Sequence, residues 1–266
     1  MSSSFDLKHL ANELAGAYAN RTLVTCPTTR DAAFDMSDAY AVEAELVRQR
    51  KASGRTITGL KVGYANKAMW RALKLDTLVW AHMYDDTVRY ASGNQASLSI
   101  SRMTAPKIEP EIVFKVKNPV AGADAAAILA GVEWLALGFE IIDCVYPEWQ
   151  FQPADFVAAY GLHAALIVGE PLPVMPQNIP QIADQLAKFK LGLHRNGELV
   201  EEGAGRNSLR SPALCLGELA RVTTLEPGSL VSSGTLTTPT LIGPSEQWKA
   251  SLDGLDLQPL VLQVQS

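Results

Sequence analysis

Cysteine is scarce in this 266-residue chain: Cys26, Cys144 and Cys215 are the only three, far apart and without Cys-x-x-Cys spacing. An odd, dispersed set excludes a disulfide scaffold, argues against a structural zinc site and suits a reducing compartment. Basic blocks are lacking too. The 23 basic and 28 acidic side chains leave a net charge of −5 and no lysine- or arginine-rich run to track phosphates, so nucleic acid is not an expected partner. The first residues lack the basic start and apolar core of a secretion signal. The most apolar stretch, 158–169, is interrupted by His163 and is shorter than the ~18 residues of a membrane span. A cytoplasmic protein without a membrane partner is expected. Histidine is limited to His9, His82, His163 and His194, with no His-x-x-x-His or His-x-Glu spacing, and there is no Gly-x-Ser-x-Gly elbow. Gly54 to Lys61 approaches a phosphate loop, but the lysine falls one residue late and no Ser or Thr follows it. Gly203-Ala204-Gly205 begins a dinucleotide fingerprint in which Ser208 stands at the third glycine.

What is present is an ordinary globular composition, long enough to bury a large core. Leu7, Leu10, Leu14 and Tyr18 recur at helical spacing. Ser37 reads as the cap of a second helix through Val42 and Leu46 to about Gly54, with 24–35 as a connecting loop. From Thr56 the chain turns to short β-rich runs, 56–62, 108–116, 137–142 and 164–168, and the whole of 158–169 reads as a buried strand. Asn196-Gly197 between 190–194 and 199–202 predicts a two-residue hairpin. Ser211-Pro212 opens a helix to Ala220, and the tail from Leu260 alternates like a strand with one drier face. Strands do not alternate with long helices, which disfavours a doubly wound parallel sheet. The expected fold is α+β, with a helical N-terminal part over 1–54 and a mixed-sheet domain over 55–266.

Three motifs carry chemistry. In Lys107-Ile108-Glu109-Pro110-Glu111-Ile112-Val113 an extended backbone puts Glu109 and Glu111 on one face. Two carboxylates held that close repel unless a cation compensates. Oxygen-only ligands suit a hard divalent ion such as Mg²⁺ or Mn²⁺, and the bland reading is a solvated strand face. Glu140 interrupts the apolar run from Trp134 to Ile142 and must be paired, hydrogen-bonded or metal-bound. It is the natural third ligand, or else one half of a structural ion pair. Lys61 sits in Gly59-Leu60-Lys61-Val62-Gly63, where flanking glycines admit a ligand or another backbone. It reads as a carboxylate-binding group, as a proton donor with a lowered pKa, or as a snorkelling edge lysine.

In this order and at these separations, the three motifs resemble the fumarylacetoacetate hydrolase superfamily. The chain's size and helical N-terminus are similar to its 2-keto-4-pentenoate (2-hydroxypenta-2,4-dienoate) hydratase and 4-oxalocrotonate decarboxylase branch. The resemblance runs from about Ser37 to Ser233-Gly234-Thr235-Leu236-Thr237. It implies a mixed β-roll with surrounding helices, Mg²⁺ or Mn²⁺ held by Glu109, Glu111 and Glu140, and a homo-oligomer. The implied substrate is a small 2-oxo acid, met by Lys61, Gly63, Leu162 and Thr235. The implied activity is a hydratase working on a 2-hydroxy-2,4-dienoate or 2-oxo-4-enoate through a metal-stabilised enolate. Acylpyruvate-type C–C hydrolysis and 2-oxo-acid decarboxylation are rivals within the superfamily, and a non-catalytic 2-oxo-acid binding protein is the rival of another class. The chain departs from the branch at Ala65, where it has threonine, and at Val79, where it has an acid. It departs again at Ala159-Tyr160-Gly161-Leu162, where the branch has Asp-Asn-Ala-Ser. Tyr160 and His163 are the candidates to replace the lost polar groups, and an apolar pocket wall is expected at Ala65 and Leu162. Glu140→Ala is expected to remove metal binding and leave the fold intact, and Lys61→Met to cost rate far more than stability.

Overall fold

A computed structural model describes residues 3–266. The chain opens with α1 (Leu7–Asn20), a single turn α2 (Pro27–Arg30) and α3 (Met36–Ala52). Asp6 caps α1 and Asp35 caps α3, each carboxylate accepting from two backbone N–H groups. The cap of the second long helix is therefore Asp35 and not Ser37, and the expected connecting loop contains the turn α2. Then follow β1 (Ile57–Gly63), α4 (Lys67–Leu73), β2 (Val79–Tyr84), β3 (Val88–Tyr90), β4 (Gln95–Ser99), β5 (Lys107–Val116), α5 (Ala125–Leu129) and β6 (Val132–Ile142). After β6 come α6 (Pro153–Ala158), β7 (His163–Val168), β8 (Leu172–Pro173), α7 (Ile179–Lys188), β9 (Lys190–Arg195) and β10 (Glu198–Ala204). The last elements are α8 (Pro212–Val222), β11 (Leu230–Ser232), β12 (Thr240–Leu241), β13 (Gln247–Asp253) and β14 (Leu260–Gln265).

Two mixed sheets result. The larger has the order β2-β1-β11-β5-β6-β7-β3, with β12 added to β5 and β8 to β6; the smaller runs β10-β9-β13-β14-β4. The β9–β10 hairpin turns at Asn196 and Gly197, both with positive φ, as an Asn-Gly turn requires. The stretch 158–169 is not one strand: α6 ends at Ala158, a tight turn occupies 160–162, and only His163–Val168 extends. Pattern alone cannot separate these, because every residue there except Tyr160 and Ala164 is buried whatever its backbone does.

Burial decides which strands hold the site. The long central pair β5 and β6 runs antiparallel over ten residues, is buried along nearly its whole length, and places Glu109 directly opposite Glu140. Directly paired residues project to the same side of a sheet, and Glu111, two residues along β5, joins them. Lys61 arrives from β1, two strands away across β11, with Ser232 as its register partner. The N-terminal helices close this end of the sheet. Leu10, Leu14, Val42 and Leu46 share one apolar cluster with Val79, Ile142, Phe156 and Leu162. No helix among the described residues is long and apolar enough to cross a membrane.

Candidate active site

Glu109, Glu111 and Glu140 converge in the interior: one carboxylate oxygen from each lies within 4.8 Å of the others. The solvated-face reading of Glu-x-Glu fails on burial, since Glu109 is 7% exposed and Glu111 and Glu140 are fully buried. Each acid is held differently. Glu111 Oε2 accepts from Ser232 Oγ at 2.5 Å and from the Gly234 N–H at 2.8 Å, while its Oε1 is buried without a partner. Glu140 lies between two side chains, with Oε1 2.9 Å from His163 Nδ1 and Oε2 3.1 Å from Lys61 Nζ. His163 Nε2 is in turn 2.9 Å from Thr87 Oγ1. Glu109 stands nearest the opening.

Lys61 is no edge residue. It is 1% exposed, donates from Nζ to the Gly161 carbonyl at 3.0 Å and lies over the Phe156 ring, 4.8 Å from its centroid. The acceptor belongs to an unusual turn: Tyr160, Gly161 and Leu162 have φ of 56°, 59° and 58°. Left-handed backbone at the two non-glycine residues flanking Gly161 is strained and persists only where the surroundings enforce it. At Gly161 a side chain is excluded outright, because a Cβ would meet Ala81 Cβ at 2.8 Å and the Lys61 stem at 3.0 Å. Gly63 serves by close approach instead, letting the Phe156 ring pack where a Cβ would collide at 2.6 Å.

The charges divide the four groups. Burial pushes the Glu109 carboxyl up to about 7 despite the nearby lysine. Burial, reinforced by Glu140 and Glu109, pushes Glu111 well above the ordinary carboxylate range. Burial would raise Glu140 as well, but Lys61 and His163 outweigh it and hold that acid below its usual value. Burial disfavours the Lys61 charge, yet Glu140, Glu109 and Glu111 together hold its pKa above the usual value, so it is a protonated ammonium, and of the three sequence-based readings the lowered-pKa lysine does not hold. Three acids, one cation and an orphaned carboxylate oxygen fit a divalent cation with oxygen ligands.

A cavity of about 330 Å³ opens onto this cluster. Lys61, Lys107 and Glu109 contribute its charge; Ala65, Ile142, Phe151, Phe156 and Leu162 are among its apolar walls, and Gly63, Trp149, Asn207 and Thr235 also line it. Ala65 and Leu162 thus both border the cavity, while Val79 packs in the core behind Gly63.

A model of the fumarylacetoacetate hydrolase C-terminal family matches residues 62–260, three-quarters of the chain. The chain belongs to the fumarylacetoacetate hydrolase family. Among curated members it is 28% identical over 216 residues to 2-hydroxypent-2,4-dienoate hydratase of Pseudomonas putida, covering 80% of this chain and 94% of that protein. It is 26% identical over 227 residues to 4-oxalocrotonate decarboxylase of Pseudomonas sp. (strain CF600), covering 82% of each. The fold is similar to that of 4-oxalocrotonate decarboxylase from Pseudomonas putida G7 complexed with magnesium and adipate. The TM-score is 0.88 at 22% identity, over 99% of this chain and 100% of that one.

Within this fumarylacetoacetate hydrolase fold, Lys61, Glu109, Glu111 and Glu140 come together, and Gly63, Leu162 and Thr235 line the cavity beside them. Tyr160 does not join them. The left-handed turn sends it to a second cavity of about 360 Å³ on the far side, with Tyr18, Tyr84 and Arg50, so it cannot replace a polar group facing the first. His163 also borders that second cavity and reaches the cluster only through Glu140. Sequence reasoning missed Ser232 and Thr87, whose hydroxyls look like any others, and the aromatic wall of Trp149, Phe151 and Phe156. The one available signal was the density of aromatics between Tyr146 and Phe156.

Proposed function

We propose that the protein is a metal-dependent hydro-lyase that converts a 2-hydroxy-2,4-dienoate, through its 2-oxo tautomer, to a 4-hydroxy-2-oxo acid. The observation that carries this is the buried cage of three carboxylates, one oxygen of it orphaned, at the floor of a ligand-sized cavity. Similarity to the dienoate hydratase supports the reaction class, and the magnesium in the related decarboxylase complex supports the ion. Glu109, Glu111 and Glu140 would hold Mg²⁺ or Mn²⁺, which when bound supplies positive charge where negative charge develops on a 2-oxo acid. Ser232 and the Gly234 N–H fix Glu111, leaving Oε1 free to ligate. Lys61, kept protonated by its acidic neighbours, is the proton donor for tautomerisation, and the Gly161 carbonyl aims its Nζ. Phe151, Phe156 and Leu162 keep bulk water from the conjugated part of the substrate. The three buried, free cysteines agree with a cytoplasmic setting. The reading is tested by turnover of 2-hydroxypenta-2,4-dienoate with Mg²⁺ present, followed by identification of the product.

Metal binding and pH are linked with a definite sign. Glu109 and Glu111 hold protons in the metal-free folded chain that the unfolded chain releases near 4.5, the ordinary value for a glutamate. Their contribution to stability is therefore full below that value; that of Glu109 is lost as pH rises through about 7, and that of Glu111, held well above the ordinary carboxylate range, is also lost as pH rises. The ion needs both groups ionised, so its affinity rises over the same window. Thermal melts should show little Mg²⁺-dependent stabilisation at pH 5.5 and a rise of several degrees at pH 8, corresponding to about 2.7 kcal/mol at a hundred times Kd. A shift that does not change with pH would place the ion elsewhere.

His163 acts here as a positioning residue that orients Glu140, not as a group that touches substrate. Outer hydrogen bonds of this kind typically contribute 10- to 100-fold in metal affinity. His163→Phe should weaken Mn²⁺ binding by roughly that factor. His163→Asn, which keeps a donor near the Nδ1 position, should restore most of it. Equal affinities in wild type and His163→Phe, read by Mn²⁺ paramagnetic resonance, would remove His163 from the site.

A further inference from the structure

The second cavity, of about 360 Å³, is walled by α1, α3, the β2–β3 turn and the segment before β5, and it shares no lining residue with the cavity over the glutamates. Apart from His163, the proposed chemistry uses none of its residues. Ala15 and Ala19, one turn apart on α1, leave the space open, and beside them the Tyr18 and Tyr160 rings meet edge to face, 5.8 Å between centroids. Tyr84 is 2% exposed, its ring is covered by the Arg50 guanidinium at 4.6 Å, and its Oη is buried without a hydrogen-bond partner. A buried hydroxyl left unpaired is costly, and a ligand oxygen would satisfy it.

Two arginines border the space. Arg50 is committed to Asp86, whose other oxygen takes Arg55. Arg102, exposed at the rim, pairs with no carboxylate among the described residues. Its loop is fixed all the same. The Met103 carbonyl accepts from Arg21 Nε at 3.1 Å, and the N–H groups of Thr104 and Ala105 donate to the Asp143 carboxylate at 2.9 and 2.8 Å. Both acids that border the cavity are therefore engaged, while one guanidinium and one hydroxyl remain unmatched.

We propose that this cavity binds a one-ring aromatic carboxylate, with its carboxylate between Arg102 and the Tyr84 hydroxyl and its ring against Tyr18 and Tyr160. The volume suits a molecule of that size. Occupancy is felt at the glutamates. Thr87 Oγ1 is 3.0 Å from the Tyr84 carbonyl and 2.9 Å from His163 Nε2, and His163 Nδ1 is 2.9 Å from Glu140 Oε1. A ligand that holds Tyr84 also holds Thr87, His163 and Glu140 in one arrangement, so ligand and divalent ion raise each other's affinity. The site does not depend on the hydratase reading, and the coupling depends only on the glutamate cage.

The test titrates benzoate calorimetrically into the metal-free protein, with benzamide as the uncharged probe and acetate as the ringless one. Benzoate should bind about tenfold more tightly than either, the scale of one charge-assisted contact or one buried ring. Arg102→Met should bring benzoate and benzamide close to equal, and Arg102→Lys should keep most of the difference. Tyr84→Phe, which keeps the ring and removes an unpartnered hydroxyl, should weaken benzoate by about threefold or more. Saturating benzoate should tighten Mn²⁺ binding, read by paramagnetic resonance, by about fivefold or more in wild type and not in Thr87→Val, which interrupts the chain to His163. Benzoate binding no tighter than benzamide or acetate, or affinity unchanged in Arg102→Met and Tyr84→Phe, overturns the site. Benzoate binding that depends on both residues and leaves Mn²⁺ affinity unchanged upholds the site and overturns its coupling to the glutamates.

Discussion

Glu111→Gln should abolish turnover while leaving the metal-free protein as stable as wild type or more so. In the metal-free fold Glu111 is driven toward its neutral form by burial and by Glu140 and Glu109, and glutamine reproduces that neutral form in the same shape. The amide oxygen can still accept from Ser232 and Gly234. What is lost is an anionic ligand, so Mn²⁺ affinity should fall at least 100-fold and kcat/KM at least 1,000-fold, the scale expected when charge stabilisation is removed from a buried site. Glu140→Ala is the instructive contrast. It strips the partner from Lys61, and an uncompensated buried charge typically costs about 3–5 kcal/mol. The sequence-based expectation that Glu140→Ala spares the fold is therefore replaced: it should lower Tm by several degrees or prevent folding, and Glu111→Gln is the clean test of the cage. Thermal melts and metal titrations of both variants check this. A Glu111→Gln protein that binds Mn²⁺ like wild type would refute the ligand set.

Lys61→Met should lower kcat by 10²- to 10⁴-fold, the usual contribution of a positioned proton donor. Stability must change as well, contrary to the simpler expectation from its glycine-flanked strand. Without Lys61, Glu140 keeps His163 but loses the ammonium at 3.1 Å, so the metal-free variant should melt earlier than wild type. Mg²⁺ should narrow that gap, because the ion replaces the missing positive charge. The decisive reading is kcat at saturating Mg²⁺ and substrate, where stability no longer differs much; a value within threefold of wild type would exclude Lys61 as the proton donor.

The parts legible from sequence were those with a local signature. Glu109 and Glu111 share a face because strands alternate, and a lone Glu140 in an apolar run had to be compensated. The Asn196-Gly197 hairpin and the drier face of the C-terminal strand follow from the same kind of reasoning. The family resemblance supplied the fold around them. What was not legible depends on neighbours far apart in the chain. Lys61 reads as an edge lysine until β2 and β11 are seen on either side of it. Tyr160 and His163 are three residues apart, yet a left-handed turn gives one to a separate cavity and the other to Glu140, which no periodicity reveals. Lys107 looked like the flank of a motif. Its place at the cavity opening depends on Trp149, forty-two positions later, standing against it.

The central claim is that a buried three-glutamate metal cage drives hydration of a conjugated 2-oxo acid. Its most direct test is proton NMR of a 2-hydroxy-2,4-dienoate incubated with the wild-type protein and Mg²⁺, with a chelator-treated control and Glu111→Gln alongside. The account predicts a 4-hydroxy-2-oxo acid as product, at least 100-fold slower formation in both controls, and no carbon dioxide. Release of carbon dioxide, cleavage to two shorter acids, or hydration that continues at the same rate in chelator would contradict it.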